Sequence, residues 1–200
     1  MSRYLSGLVW LIITALIPLL LLVCYALGAG VADLTQIFAL TTGIFAYVWL
    51  LAALFLAGKP KWLDASSAVL GQVALALASL PLSLSHAQLS PGISWGSLSG
   101  RLALMLLLAM GAYSLMFWGV QNMSSPSKGL PSQLMLWFNR LIAAAVGLIF
   151  VHVQLIESVR QNLPFMFVFY LLTITAFGSY LLKPAQRDES TLQQAKKASH

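Results

Sequence analysis

Six stretches of this chain are apolar over enough length to cross a lipid bilayer, at roughly 6–28, 37–57, 68–85, 102–120, 141–157 and 164–182. A helix spanning the hydrocarbon needs about 20 predominantly apolar residues. These 200 residues spend most of their length this way, and no soluble catalytic domain is expected among them. Composition agrees: 60% of residues are hydrophobic and 8% charged, where soluble domains carry about 25% charged and about 45–50% apolar residues. The same richness in large apolar side chains excludes a disordered chain. The expected fold is all-α: an integral membrane six-helix bundle over residues 1–182, followed by a polar tail over 183–200 that is expected to be frayed. The first run follows Arg3 and ends in small residues near Ala29, as a signal peptide does. Its apolar part exceeds the 7–15 residues of a signal core, so it is read as an anchor. Runs three and five are short with polar ends, which places them inside the bundle, away from lipid.

Lysines and arginines orient the bundle. Arg101 and Arg160 fall on one side of the membrane. Arg3, Lys59, Lys61, Lys128, Arg140, Lys183, Arg187, Lys196 and Lys197 fall on the other. Cytoplasmic loops carry the excess of positive charge, so both termini are expected in the cytoplasm and the protein in the cell membrane as a multi-pass chain. The net charge of +6 is therefore a matter of topology and implies no nucleic-acid partner. The partners expected are the lipid bilayer and another protein.

Few groups remain that can carry chemistry. Cys24 is the single cysteine, which excludes a disulfide framework and a cysteine-based zinc site. His152 lies well inside run five, about 18 Å from its cytoplasmic end at about 1.5 Å per residue. An ionisable residue at that depth marks a functional site; the plainer reading is a neutral imidazole hydrogen-bonded to a neighbouring helix through Gln72 or Gln154. His86 ends run three on the same outer side and, taken alone, reads as a solvated helix-end residue. Glu157 and Arg160 are spaced for an ordinary i,i+3 ion pair. Trp62, Trp95, Trp118 and Trp137 stand near expected interfaces as belt anchors. Ala143, Ala144, Ala145 and Gly147 permit close helix approach. No Ser-His-Asp triad, paired carboxylates or metal-ligand spacing is present, which argues against hydrolysis.

Two segments resemble the ferric reductase-like transmembrane family, which also underlies NADPH oxidases and the haem subunit of a methionine sulfoxide reductase system. One is Lys59-Pro-Lys-Trp-Leu-Asp64 followed by Ala68-Val-Leu-Gly71. The other is Trp137-Phe-Asn-Arg-Leu141 followed by His152. The resemblance covers about residues 37–182, and six spans with both termini inside fit it. It implies transmembrane electron transfer through b-type haems held by two histidines on span three and two on span five. Aligned this way, Ser67 and Pro81 stand at the span-three ligand positions and Asn139 at the inner one on span five, so that only His152 keeps a ligand. Serine, asparagine and proline do not supply the imidazole nitrogen that haem iron takes. The inner haem is therefore expected to be absent.

One b-type haem at the outer side remains. It needs His86 beside His152, brought there by a distortion at Pro81, with Arg101 and Arg160 meeting the propionates. A flavin or a quinone would serve as the alternative redox group. The expected function is that of a divergent ferric reductase-like electron-transfer component working with a separate donor subunit. The competing expectation is a haem-less membrane scaffold or partner subunit that keeps the fold without redox activity. Small-solute transport ranks last, because paired broken helices and midplane acids are missing.

Overall fold

A computed structural model describes residues 8–28, 33–58, 65–89, 94–123 and 132–198, with side chains over 8–28, 33–58, 68–89, 94–112 and 136–182. The described residues form helices and no strand. In chain order these are α1 (Leu8–Gly28), α2 (Leu34–Ala57), α3 (Ala65–Leu89), α4 (Trp95–Met123), α5 (Ser132–Leu155), the single turn α6 (Glu157–Arg160) and α7 (Leu163–Ala198). Six of them are long and apolar enough to cross a membrane. Only helices satisfy every backbone N–H and C=O within one segment, which is what a lipid-facing backbone requires.

Local chemistry sets the ends. Asp33 caps α2 by accepting from the Thr35 N–H (3.3 Å). Ser94 and Ser97 cap α4 reciprocally: Ser94 Oγ accepts from the Ser97 N–H (3.1 Å), and Ser97 Oγ from the Ser94 N–H (2.8 Å). The chain leaves helical geometry at Ile156 (φ −92°, ψ 103°), ending α5 there. Asn162 then starts α7, accepting from the Phe165 N–H (3.2 Å) and donating to the Tyr25 carbonyl of α1 (2.7 Å).

Several boundaries and placements differ from the expected ones. The fourth helix begins at Trp95, seven residues before the expected run, because Ser97 and Ser99 turn their hydroxyls onto the helix's own start: Ser99 Oγ donates to the Gly96 carbonyl (2.8 Å). Polar residues there extend the helix. The fifth span ends at Leu155, and Glu157 and Arg160 form a separate turn in which Glu157 accepts from Gln161 Nε2 (3.1 Å). α7 runs on from the last span into the polar tail, to Ala198. Pro81 stays inside one uninterrupted helix, α3. The expectations placed on Arg3, Lys59–Asp64, Lys128 and His200, and on the side chains of Ser67 and Trp118, lie outside the described residues.

The innermost helix is α2, not α3 or α5. Of its most apolar stretch 56% is buried within the bundle, against 33% for α3, 28% for α5 and 11% for α1. Ala39, Ala46, Ala53 and Ala57 are all buried. Small side chains at these places let α3 and α7 close onto α2, and such close approach drives helix association where lipid offers no hydrophobic incentive. Leu50, Leu54 and Leu56 fill the centre with Leu107, Ile142 and Phe169. Large apolar residues on the outside, such as Leu27, Leu163, Phe167 and Ile174, face where acyl chains would be.

α1 carries a π-turn over Ile12–Leu16. Thr14 Oγ1 donates to the Trp10 carbonyl (2.7 Å), and the Trp49 indole donates to the Thr14 carbonyl (3.0 Å). The widened turn thus pins α1 to α2.

Candidate functional site

The closest helix pairs are α2 with α3 and α4 with α5, so the bundle contains two tight hairpins; α3 and α5 are not closely packed against each other. Side chains reach across that gap at two depths. In one layer Gln72 Nε2 of α3 donates to Asn139 Oδ1 of α5 (2.5 Å), both residues buried. In the other layer the rings of His86 and His152 lie with centroids 6.0 Å apart and planes at 84°. The fourteen-residue step from Gln72 to His86 and the thirteen-residue step from Asn139 to His152 separate the layers by about 20 Å at about 1.5 Å per residue.

Each imidazole is anchored on the far side. His86 Nδ1 lies 2.7 Å from the Ala39 carbonyl of α2, and His152 Nδ1 lies 2.6 Å from the Gly96 carbonyl of α4. A carbonyl oxygen only accepts, so in each ring Nδ1 carries the proton. A neutral imidazole protonated at Nδ1 has its lone pair on Nε2, the form in which histidine ligates a metal while its other nitrogen is held by a backbone carbonyl.

Both rings line one cavity of about 330 Å³. Its walls are mostly apolar, including Leu40, Tyr47, Leu104, Ile149 and Phe169, and Ser94, Ser97 and Arg101 supply its polar side. Tyr47 is fixed deep in the wall by a hydrogen bond to Thr173 (2.8 Å) and by stacking on Phe169 (4.9 Å, 19°). Apolar walls with a few placed polar groups are the usual character of a cofactor pocket.

The sequence-based candidates separate cleanly. The structure brings His86, His152 and Arg101 to one cavity. Arg160 is exposed on the turn after α5 and does not line that cavity. His86 reaches His152 along a helix that runs uninterrupted through Pro81. Pro81 itself is exposed, and Gln72 and His86 are α3 residues whose side chains meet α5. His152 is bonded to neither Gln72 nor Gln154: Gln72 holds Asn139, and Gln154 Oε1 accepts from Tyr170 (2.8 Å). Sequence reasoning missed Gln72 as a layer partner, and with it Gly43 and Gly100 behind the imidazoles. The matched steps of fourteen and thirteen residues were the available signal for the first.

Among the described residues no group of three or more His, Cys, Asp or Glu side chains stands together. Two imidazoles fit a centre that brings its remaining ligands with it, as a porphyrin does with its four nitrogens. Metal–imidazole bonds are about 2 Å and the ring centroid lies about 1 Å further, so two rings on opposite sides of one metal are about 6 Å apart. The observed centroid separation of 6.0 Å is of that size, and is also that of an edge-on ring contact.

Comparison of the chain with protein-family models, with curated proteins and with solved structures finds no match.

Proposed function

We propose that this chain is a divergent ferric reductase-like protein of the cell membrane, with both termini cytoplasmic, that carries one b-type haem between His86 and His152. It serves as an electron-transfer component beside a separate donor subunit. The observation that carries this reading is the paired geometry of the two rings, 6.0 Å apart, each with Nδ1 committed to a helix carbonyl.

When bound, the haem supplies one-electron oxidation and reduction. The chain's own residues do the rest. His86 and His152 offer neutral nitrogens from two different hairpins, so a shared centre ties the hairpins together. Leu40, Leu104 and Ile149 would give that centre an apolar wall, and the polarity around a metal centre governs its potential. Arg101, at the polar side of the cavity, supplies a cation for carboxylates there. The resemblance to the family now reads through Gln72 and Asn139 in the inner layer and His86 and His152 in the outer. An amide pair in the inner layer cannot ligate haem iron, which supports a single haem.

A second reading is favoured by the same hydrogen bonds. Both imidazoles have protein partners, as they would in a haem-less scaffold where they only fasten α3 to α2 and α5 to α4. An optical spectrum of the purified full chain, as isolated and after haem addition, separates the two. The first reading expects a Soret band that shifts on dithionite reduction, at one haem per chain. A protein that stays colourless after haem addition would leave the scaffold reading standing.

A further inference from the structure

The two imidazole anchors share one local construction. In an α-helix the carbonyl of residue i accepts from the N–H of residue i+4. The carbonyls that hold the imidazoles belong to Ala39 and Gly96, and the residues four further on are Gly43 and Gly100. A carbonyl oxygen has two lone pairs and can take a second donor. Whether one can reach it depends on the side chain at i+4, because Cβ atoms tilt toward the helix N-terminus and crowd the preceding turn. At both places there is no side chain. A Cβ built on Gly43 would lie 2.9 Å from His86 Nδ1 and 3.0 Å from its Cε1. One built on Gly100 would lie 3.0 Å from His152 Nδ1 and 3.2 Å from its Cε1.

Other helical glycines behave differently. Gly147 has nothing within 4 Å of its missing Cβ. Gly111 is tight against Leu80 Cδ1 at 2.6 Å, which is a packing contact with no imidazole in it. The notch beneath an imidazole therefore occurs at the two glycines that lie four residues after an anchoring carbonyl, once on each hairpin.

We propose that Gly43 and Gly100 are positioning residues: each opens a notch through which an imidazole reaches a helix carbonyl, fixing His86 and His152 as Nδ1–H tautomers that present Nε2 as ligand. The proposal deepens the haem reading and rests on it for the purpose of the notches, but the tautomers themselves exist without haem. An Nδ1–H bond to a carbonyl makes the imidazole a more basic ligand, which favours the oxidised iron. Losing the bond raises the midpoint potential.

The test uses the full-length chain with ¹⁵N-labelled histidine in nanodiscs, before any haem is added, with His86→Gln and His152→Gln assigning the signals. Nitrogen shifts in the wild type should show Nδ1 protonated and Nε2 bare in both rings. Gly43→Ala should move His86 alone toward the Nε2–H tautomer, and Gly100→Ala should move His152 alone. Gly147→Ala and Gly111→Ala should move neither. Wild-type rings in the Nε2–H form would overturn the proposal without any variant having to fold. Equal shifts from Gly111→Ala would overturn it too, by showing a packing effect. After haem addition, Gly43→Ala and Gly100→Ala should each lower the haem retained and raise its midpoint potential, while Gly147→Ala leaves both unchanged. A wild type that shows the expected tautomers and binds no haem sinks the haem reading and keeps the notches. One that binds haem with the other tautomer sinks the notches alone.

Discussion

His86 and His152 meet at 6.0 Å with their planes at 84°, although they come from α3 and α5, which do not pack closely on each other. Each is held from behind by a different helix, His86 by α2 and His152 by α4. The pair is thus one fastening between two hairpins, and Gln72–Asn139 is the other.

Removing either imidazole should abolish a haem signal while the bundle still inserts. Leucine is favoured in the hydrocarbon, so His152→Leu and His86→Leu are the suitable variants. Both should lose the Soret band in a membrane fraction that retains normal amounts of protein by immunoblot. Survival of the band in His152→Leu would make that residue structural.

The Gln72–Asn139 layer makes a prediction about stability. Gln72→Leu leaves the buried Asn139 amide without its partner, at a cost of about 1–3 kcal/mol. Gln72→Leu with Asn139→Leu removes both polar groups and should recover most of that loss. Thermal unfolding in detergent measures the two; a double variant as unstable as the single would mean the pair is not coupled.

The same layer can be rebuilt. Because Gln72 and Asn139 already touch across the gap, Gln72→His with Asn139→His places two imidazoles opposite each other about 20 Å from the first pair. Haem content should rise from one to two per chain by the pyridine haemochrome assay. An unchanged content would show that the inner layer is too tight for a porphyrin.

Orientation is checked by labelling. With Cys24 replaced by serine, Trp95→Cys at the exposed start of α4 should react with an impermeant maleimide added outside cells. Ser132→Cys at the start of α5 should react only after the membrane is opened. The reverse pattern would invert the bundle.

The Asn162 side chain joins α7 to α1 through its bonds to the Phe165 N–H and the Tyr25 carbonyl. Asn162→Ala removes a helix cap and an interhelical bond together, and should lower stability by about 1–3 kcal/mol. A melting temperature equal to that of the wild type would contradict this role.

The number of spans was legible in the sequence because lipid imposes it: each crossing needs a long apolar run, and such runs at six places are visible without any tertiary information. His152 was legible for the same reason, as an ionisable group amid apolar neighbours. Boundaries were less so. Ser97, Ser99 and Arg101 look like loop residues by polarity, yet Ser97 Oγ bonds to the Ser94 backbone just before the helix, Ser99 Oγ donates to the Gly96 carbonyl, and the helix runs through them.

What only the tertiary structure decided is which residues face one another. Spacing along a helix determines that Gln72 lies about 20 Å from His86, but not which way that face turns, since rotation about the helix axis is settled by packing against neighbours. Reading α3 from its sequence placed Pro81 opposite α5; in the structure Pro81 is exposed, and Gln72 and His86 reach α5. The anchors are remoter still. His86 finds its carbonyl 47 residues away and His152 finds its own 56 residues away. The value of Gly43 and Gly100 lies in an absent atom that matters only once another helix has brought an imidazole against it.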